Sequence, residues 1–355
     1  MKGAFLAKMA AGAARYRVSG HRLPLHVQYA VTRRCTTLCS HCSLPLGARG
    51  DLDTDEAVAL VDHLARIGTV RVTLTGGEPL LRPDIGVLID RCADHGIWTT
   101  LESNGARVPE QMPKLRRLKQ LVLPLDGGRA AHDRLRGPGS FDEVLSALDA
   151  ARRPAAGLEV WTTTVLHRDN LDQVGVVLQL AKKYDFTAMF QVMQSEGTPY
   201  GPAALRWMAP PEALRKAFRE LLEAKTSGER VGMTEKTLRY LLAWEEGGRA
   251  RTVAPHEDLH CLAGQLYCTI DADGRVYPCT LHLGRDDTAR SVRVDGFDAA
   301  FDGLHEHGCR ACNATALTEY NYLYNLNFAT LYEWARSGRW RRQAGADPTG
   351  REDAA

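Results

Sequence analysis

The chain has 355 residues, 44% of them hydrophobic and 25% charged, with a formal net charge of +2. That length allows about two domains with a sizeable core. The near-neutral balance gives no electrostatic reason to expect nucleic acid, and no apolar run reaches the roughly 20 residues that span a bilayer.

Residues 1–24 carry Phe5, Leu6 and Met9 among alanines, with Lys2, Lys8, Arg15 and Arg17. The pattern predicts a helical extension, packed on the following domain or lying on a membrane surface. Lys8 interrupts the apolar stretch that a signal peptide needs.

Leu25 to Val31 reads as a strand. It delivers a loop with Cys35, Cys39 and Cys42 in the spacing C-x3-C-x2-C. Three thiolates can hold three irons of a cubane cluster and leave the fourth open to a small molecule, where ordinary four-iron clusters are closed by four cysteines. Zinc through Cys39 and Cys42, helped by His41 or Cys35, is the competing reading. A structural disulfide fits less well with a chain that shows no secretory signal, and the expected compartment is the cytoplasm.

Strand and helix patterns then alternate to about residue 200. Helices are predicted over Thr54–Ile67, Asp84–His95, near 109–118, and over Phe141–Arg152 and Leu171–Tyr184. Strands are predicted over Val70–Leu74, Ile97–Leu101, Gln120–Leu125, Leu158–Val165 and Thr187–Met193. Six βα-type repeats imply parallel strands with helical crossovers, too few for a closed eight-stranded barrel. Ligands in such folds sit at the C-terminal strand ends. There the chain places Gly76-Gly77-Glu78-Pro79, Ser103-Asn104 and Asp126. Glycines let backbone approach a ligand closely. Glu78 can bind an ammonium, Pro79 stiffens the turn, and Ser103, Asn104 and Asp126 can bond ribose hydroxyls. Each is also an ordinary turn residue.

Residues 196–210 read as a linker rich in Gly and Pro, followed by helices near 211–225 and 233–246. Cys261, Cys279, Cys309 and Cys312 come next, with a turn at Asp271-Ala272-Asp273-Gly274 between strands Leu266–Ile270 and Arg275–Tyr277. The hairpin brings Cys261 and Cys279 towards each other. Four thiolates can close one iron–sulfur cluster or one zinc site, and taken alone they favour zinc slightly. Cys268, in the first hairpin strand, reads as a buried small hydrophobe or a hydrogen-atom donor. Cys92 reads as core. The segment from Thr318 through Trp334 reads as a helix packed on the barrel, and residues from 341 onwards as disordered.

The combination of Cys35, Cys39 and Cys42 with Thr75-Gly76-Gly77-Glu78-Pro79-Leu80 and His132-Asp133-Arg134-Leu135-Arg136-Gly137 resembles the radical S-adenosylmethionine (radical SAM) superfamily over residues 25 to about 195. The resemblance implies an α/β fold: a partial (β/α)6 barrel with a C-terminal auxiliary-cluster domain of a β-hairpin and helices. It implies a 4Fe–4S cluster on Cys35, Cys39 and Cys42 whose open iron binds S-adenosylmethionine. Gly76, Gly77, Glu78 and Pro79 would surround its methionine end, with Ser103, Asn104 and Asp126 near the ribose or carboxylate. A 5′-deoxyadenosyl radical then takes a hydrogen atom from the substrate. Cys261, Cys279, Cys309 and Cys312 resemble the shorter, twitch form of the SPASM extension, which implies one auxiliary 4Fe–4S cluster.

The expected units are 1–24, an N-terminal helix; 25–200, the barrel; 201–255, a helical linker; 256–315, the auxiliary domain; 316–340, a C-terminal helix; and 341–355, a disordered tail. The expected substrate is a small polar molecule such as a sugar or aminocyclitol. Its fate is epimerisation, with Cys268 returning the hydrogen, or two-electron dehydrogenation. The alternatives are a maturase of a ribosomal peptide and a non-catalytic electron-transfer protein. The expected electron donor is external, such as flavodoxin or ferredoxin.

Overall fold

The structure is a computed structural model describing residues 2–44, 50–152, 157–194, 204–244, 251–252, 259–284, 289–304 and 307–336. The expected tail at 341–355 and most of the linker at 196–203 lie outside the described residues.

A first helix, α1 (Lys2–Ser19), precedes six βα units. These contain β1 (His26–Thr32), α2 (Thr54–Ile67), β2 (Arg71–Gly76), α3 (Ile85–Asp94), β3 (Trp98–Glu102), α4 (Val108–Gln111), β4 (Gln120–Pro124), α5 (Arg129–Arg136), α6 (Ser140–Arg152), β5 (Glu159–Leu166), α7 (Val174–Tyr184) and β6 (Thr187–Val192). The strands pair in parallel with their sequence neighbours, in the order β6-β5-β4-β3-β2-β1. Parallel strands need crossover connections, and the helices supply them.

The local chemistry explains the boundaries. Helix α2 opens with a capping box: Glu56 N donates to Asp53 Oδ1 at 2.8 Å, and Asp53 N donates to Glu56 Oε2 at 2.8 Å. It ends at Gly68, whose φ of 103° is left-handed. Its buried residues Ala57, Leu60, Val61 and Leu64 recur at helical spacing. Helix α5 was not expected from the pattern, because only His132 and Leu135 of its length are buried.

Alternation within the strands separates two faces. Val27, Tyr29 and Val31 of β1, Val72 and Leu74 of β2, Leu101 of β3, and Leu121 and Leu123 of β4 join the main core with the helices. The other parity carries Arg71, Trp98, Glu102, Gln120, Val122, Trp161, Thr163, Met189 and Gln191, which line a common lumen.

The C-terminal region adds α8 (Pro211–Thr226), α9 (Glu235–Leu242), β7 (Arg251–Thr252), β8 (Tyr267–Ile270), β9 (Val276–Tyr277), α10 (Val292–Asp295), α11 (Phe297–Asp302), β10 (Ala311–Cys312), α12 (Thr315–Tyr324) and α13 (Phe328–Arg336). The expected hairpin forms, with β8 and β9 antiparallel. It also joins the barrel sheet, because β8 runs parallel beside β1 with Val27 opposite Cys268 and Tyr29 opposite Ile270. The sheet therefore has eight strands, and β1 is paired on both edges. A buried ion pair reinforces this join: Arg33 Nε donates to Asp271 Oδ1 at 2.9 Å, and the two side chains are 5% and 1% exposed.

Helix α1 takes the packed form. Phe5, Leu6, Met9 and Ala13 are buried in a second core with Leu25, Leu266, Tyr267 and Tyr324. No described helix is long and apolar enough to cross a membrane. The C-terminal helix expected as one piece is two, broken where Leu326 takes a φ of 58°.

Asp271→Asn leaves Arg33 as a buried cation without its counter-charge. We expect a loss of roughly 3–5 kcal/mol in denaturant unfolding, and a much smaller loss when Arg33→Met is added.

Candidate active site

The cysteine loop leaves the end of β1, and the strand-end glycines of β2 pack directly against its entrance. Gly77 N donates to Thr32 O at 2.8 Å, and Glu78 N donates to Arg34 O at 2.8 Å. A Cβ added to Gly76 would lie 2.1 Å from Thr32 O, and one added to Gly77 would lie 2.2 Å from Arg34 O. Gly76 also has a φ of 136°. The close approach that the glycines permit is thus to the chain's own backbone.

Glu78 is 0% exposed. Its carboxylate accepts from Asn104 N at 2.7 Å, Ser103 Oγ at 2.9 Å and Leu80 N at 3.0 Å. Burial pushes its pKa up, against these bonds. The side chain read as an ammonium ligand is a brace between the ends of β2 and β3. Pro79 begins the short 3-10 turn after it. Ser103 Oγ also accepts from Gly105 N at 3.1 Å. Asn104 Nδ2 donates to Thr36 Oγ1 at 3.0 Å and Thr37 Oγ1 at 3.1 Å, which ties β3 to the cysteine loop.

Asp126 is 0% exposed and accepts from Arg136 Nε at 2.5 Å and Val165 N at 2.8 Å. Burial works to raise its pKa, but Arg136 and His132 outweigh it and hold the carboxyl below its usual value. Burial pushes His132 down to about 4, so it is neutral near pH 7. Arg136 also lies close enough to Cys39 and Cys42 for their thiolates to raise its pKa. Ser40 N and Ser40 Oγ both donate to Leu135 O, at 2.9 and 3.0 Å. Helix α5 therefore places a cation beside the cysteine loop. Arg136 is a site residue that the sequence reading quoted only as part of a motif.

Cys35, Cys39 and Cys42 are half-buried. Burial pushes Cys42 up to about 11 and raises Cys35, and each thiol also feels Cys39. Zinc, with sulfurs at roughly 2.3 Å, brings its ligands within about 4.6 Å of one another. Among the described residues only His282, His307 and Cys309 have ligand atoms within 4.8 Å of one another. The N-terminal triad is spread wider than one ion takes, which fits a larger iron–sulfur group.

The four later cysteines also converge. Cys261, Cys279 and Cys309 all act on Cys312, whose pKa burial pushes well up. Tyr267 Oη lies 3.7 Å from Cys261 Sγ and donates to Asn321 Oδ1 at 3.3 Å. Leu262 N donates to the same Asn321 oxygen at 2.9 Å, so α12 buttresses this group. His282 Nε2 lies 3.5 Å from Cys309 Sγ, and Cys309 N donates to His307 Nδ1 at 3.2 Å. The sequence reading missed both histidines. The available signal was position: His282 follows Cys279 by three residues, and His307 precedes Cys309 by two.

Cys268 does not face the lumen. It sits opposite Val27 and joins the helix-side core with Ile270, Val276 and Phe301. It is 1% exposed, and burial alone raises its pKa. The strand's period of two decides against a hydrogen-atom donor, because Tyr267 and Thr269 occupy the other face. Cys92 is core, as expected.

Below the strand-end groups the lumen holds a partly open cavity with about 80 Å3 of room for a water-sized sphere. It runs from Arg71, Trp98 and Gln120 at strand starts to Glu102, Thr163 and Gln191 near strand ends. Thr75, next to Gly76, donates to Glu102 Oε2 at 3.0 Å, which ties this wall of the cavity to the strand-end groups.

The family profile of the Radical SAM superfamily matches residues 29–181. The chain is similar to the mycofactocin maturase MftC of Mycobacterium ulcerans, at 30% identity over 282 residues, 77% of this chain and 73% of the relative. It is 28% identical over 283 residues to the AdoMet-dependent heme synthase of Methanosarcina barkeri, covering 72% of this chain and 76% of the relative. The fold matches Streptococcus suis SuiB bound to S-adenosylmethionine with a TM-score of 0.62, at 16% identity, over 83% of this chain and 66% of that one. These relatives overturn the expected sugar or aminocyclitol epimerase or dehydrogenase: they are named for maturation and heme synthesis.

Gly77→Ala forces a methyl group into the Arg34 carbonyl. We expect reduced iron per chain after anaerobic reconstitution, with the helical circular dichroism retained. Cys268→Ala should leave S-adenosylmethionine cleavage unchanged and cost about 1 kcal/mol in unfolding.

Proposed function

The chain belongs to the radical SAM superfamily, and on that premise we propose that it is a maturase that modifies a peptide. The observation that carries this reading is the 30% identity to a maturase along 77% of the chain. Members of the superfamily use a 4Fe–4S cluster and S-adenosylmethionine. In this chain Cys35, Cys39 and Cys42 would hold that cluster. When bound, it supplies the electron that cleaves S-adenosylmethionine and so makes a hydrogen-abstracting carbon radical available.

The protein's share is positioning and shielding. Gly76, Gly77, Glu78 and Pro79 shape the rim beside the loop. Glu78 locks that rim to Ser103 and Asn104, and Asn104 reaches Thr36 and Thr37 within the loop. The Asp126–Arg136 pair holds a cation beside Cys39 and Cys42, where negative charge collects. Backbone and side-chain donors around Ser103, Asn104 and Asp126 are the groups offered to the cofactor's ribose and carboxylate. The lumen below excludes bulk water from the substrate.

Cys261, Cys279, Cys309 and Cys312 would hold one auxiliary 4Fe–4S cluster. Cys309 has His282 and His307 around it, and Cys261 has Tyr267. An external one-electron donor such as flavodoxin or ferredoxin would complete the system.

Two measurements test this reading. Replacing Cys35, Cys39 and Cys42 by alanine should remove about four irons per chain and abolish S-adenosylmethionine cleavage, and replacing the later four should remove about four more. Anaerobic turnover with a peptide encoded beside the gene should give 5′-deoxyadenosine together with a mass change in the peptide. A mass change on an iron porphyrin, with none on peptides, would instead place the chain with the heme synthases.

A further inference from the structure

Arg71 begins β2, faces the lumen and is 7% exposed. A guanidinium cannot shed its proton, so the chain keeps a permanent cation in a site of low dielectric. Its Nη2 donates to Gln120 Oε1 at 2.7 Å, and Tyr320 lies under its Cζ at 5.4 Å from the ring centroid. Its Nε has no hydrogen-bond partner. No ion pair joins Arg71 to any described carboxylate, whereas the buried Arg33 has Asp271 and Arg136 has Asp126.

The other ionisable groups around the cavity are occupied. Glu102 takes Thr75 Oγ1, and burial pushes its pKa up. Glu319 accepts from Thr234 N at 2.6 Å and from Trp334 Nε1 at 3.0 Å, and burial pushes it up as well. Glu333 pairs with Lys225 at 3.3 Å, and Glu159 accepts from Trp161 Nε1 at 3.3 Å. His26, bonded to Thr73 Oγ1 at 2.9 Å, is held neutral by burial and by Arg71 itself. A buried cation with an open Nε and no ion-paired carboxylate, with Glu102 near enough to feel its charge but bonded to Thr75, is a prepared half of a charge-assisted pair.

We propose that Arg71 binds a carboxylate of the substrate inside the lumen, with Gln120 orienting the guanidinium. The inference rests on the reading of the chain as a peptide-modifying enzyme. The carboxylate is then a peptide's C-terminus or an acidic side chain. Arg71 and Gly76 are separated by at most about 17 Å along β2. An anchored carboxylate therefore leaves only the adjoining few residues within reach of the mouth, and Arg71 sets which carbon stands there. Trp98, Trp161 and Tyr320 supply apolar wall for the side chain next to it.

The test is binding, read by tryptophan fluorescence of the cluster-loaded protein under anaerobic conditions, since Trp98, Trp161 and Trp334 line the cavity. The probes are N-acetyl-leucyl-leucine, its C-terminal amide, and N-acetyl-aspartyl-leucine amide. At least one carboxylate-bearing probe should bind about tenfold tighter than the uncharged amide. Tighter binding of the first acid assigns the terminal carboxylate, and tighter binding of the aspartyl probe assigns the side chain. Arg71→Gln should abolish the difference, and Arg71→Lys should keep part of it. Equal behaviour of all three probes on the wild-type protein, including no binding at millimolar concentration, overturns the proposal without needing any variant to fold. So does an unchanged preference in Arg71→Gln. Peptide-dependent formation of 5′-deoxyadenosine is a separate readout, so failure here leaves the maturase reading to stand or fall on its own test.

Discussion

Two backbone hydrogen bonds, from Gly77 N to Thr32 O and from Glu78 N to Arg34 O, hold the end of β2 against the start of the cysteine loop. They are possible only because the two glycines carry no Cβ. From this seam the carboxylate of Glu78 reaches across to β3, and Asn104 reaches back from β3 to the loop. The three cysteines are therefore presented by a closed circuit of main-chain and side-chain bonds, which fixes a loop that has no regular structure of its own. Donors that a buried carboxylate satisfies are costly to strand, so the circuit is cooperative in the sense that no member can be removed without leaving another unpaired.

The second cysteine group depends on the same strand. β1 pairs with β2 on one edge and with β8 on the other, and the Arg33–Asp271 pair joins the loop's base to the hairpin turn. The hairpin also carries Tyr267 beside Cys261, and its second strand leads to Cys279. Both sets of thiols are thereby referred to one rigid element. Helix α12 completes the arrangement. Its Asn321 supports the cysteine group, while Tyr320 on the same helix reaches Arg71 and His26 in the lumen.

The lumen differs from an ordinary packed barrel interior. Its walls carry Arg71, Glu102, Gln120, Thr163 and Gln191 among the aromatic and aliphatic side chains, and these polar groups make a partly satisfied network. Such a network is expensive in a core, and its placement between the strand-end mouth and the helices beneath makes functional sense of the expense. The aliphatic residues that form the main core turn outward to the helices, while the lumen face mixes these polar groups with Trp98, Val122, Trp161 and Met189.

Much of this was legible in the chain. Period-two and near-helical apolar patterns located all six parallel strands and most crossovers, because each strand packs one face on helices. The spacing of Cys35, Cys39 and Cys42, and the Gly76-Gly77-Glu78-Pro79 run after β2, marked the mouth. Helix α5 was not legible, since two buried residues make too faint a stripe. Nor were the partners of Glu78, the addition of β8 to the barrel sheet, or the closeness of His282 to Cys309, because these join positions far apart in the chain. Cys268 shows the division best. Its chemistry is written in the sequence, but the side of the sheet it occupies depends on the register of β8 against β1, and a strand register exists only once the chain has folded.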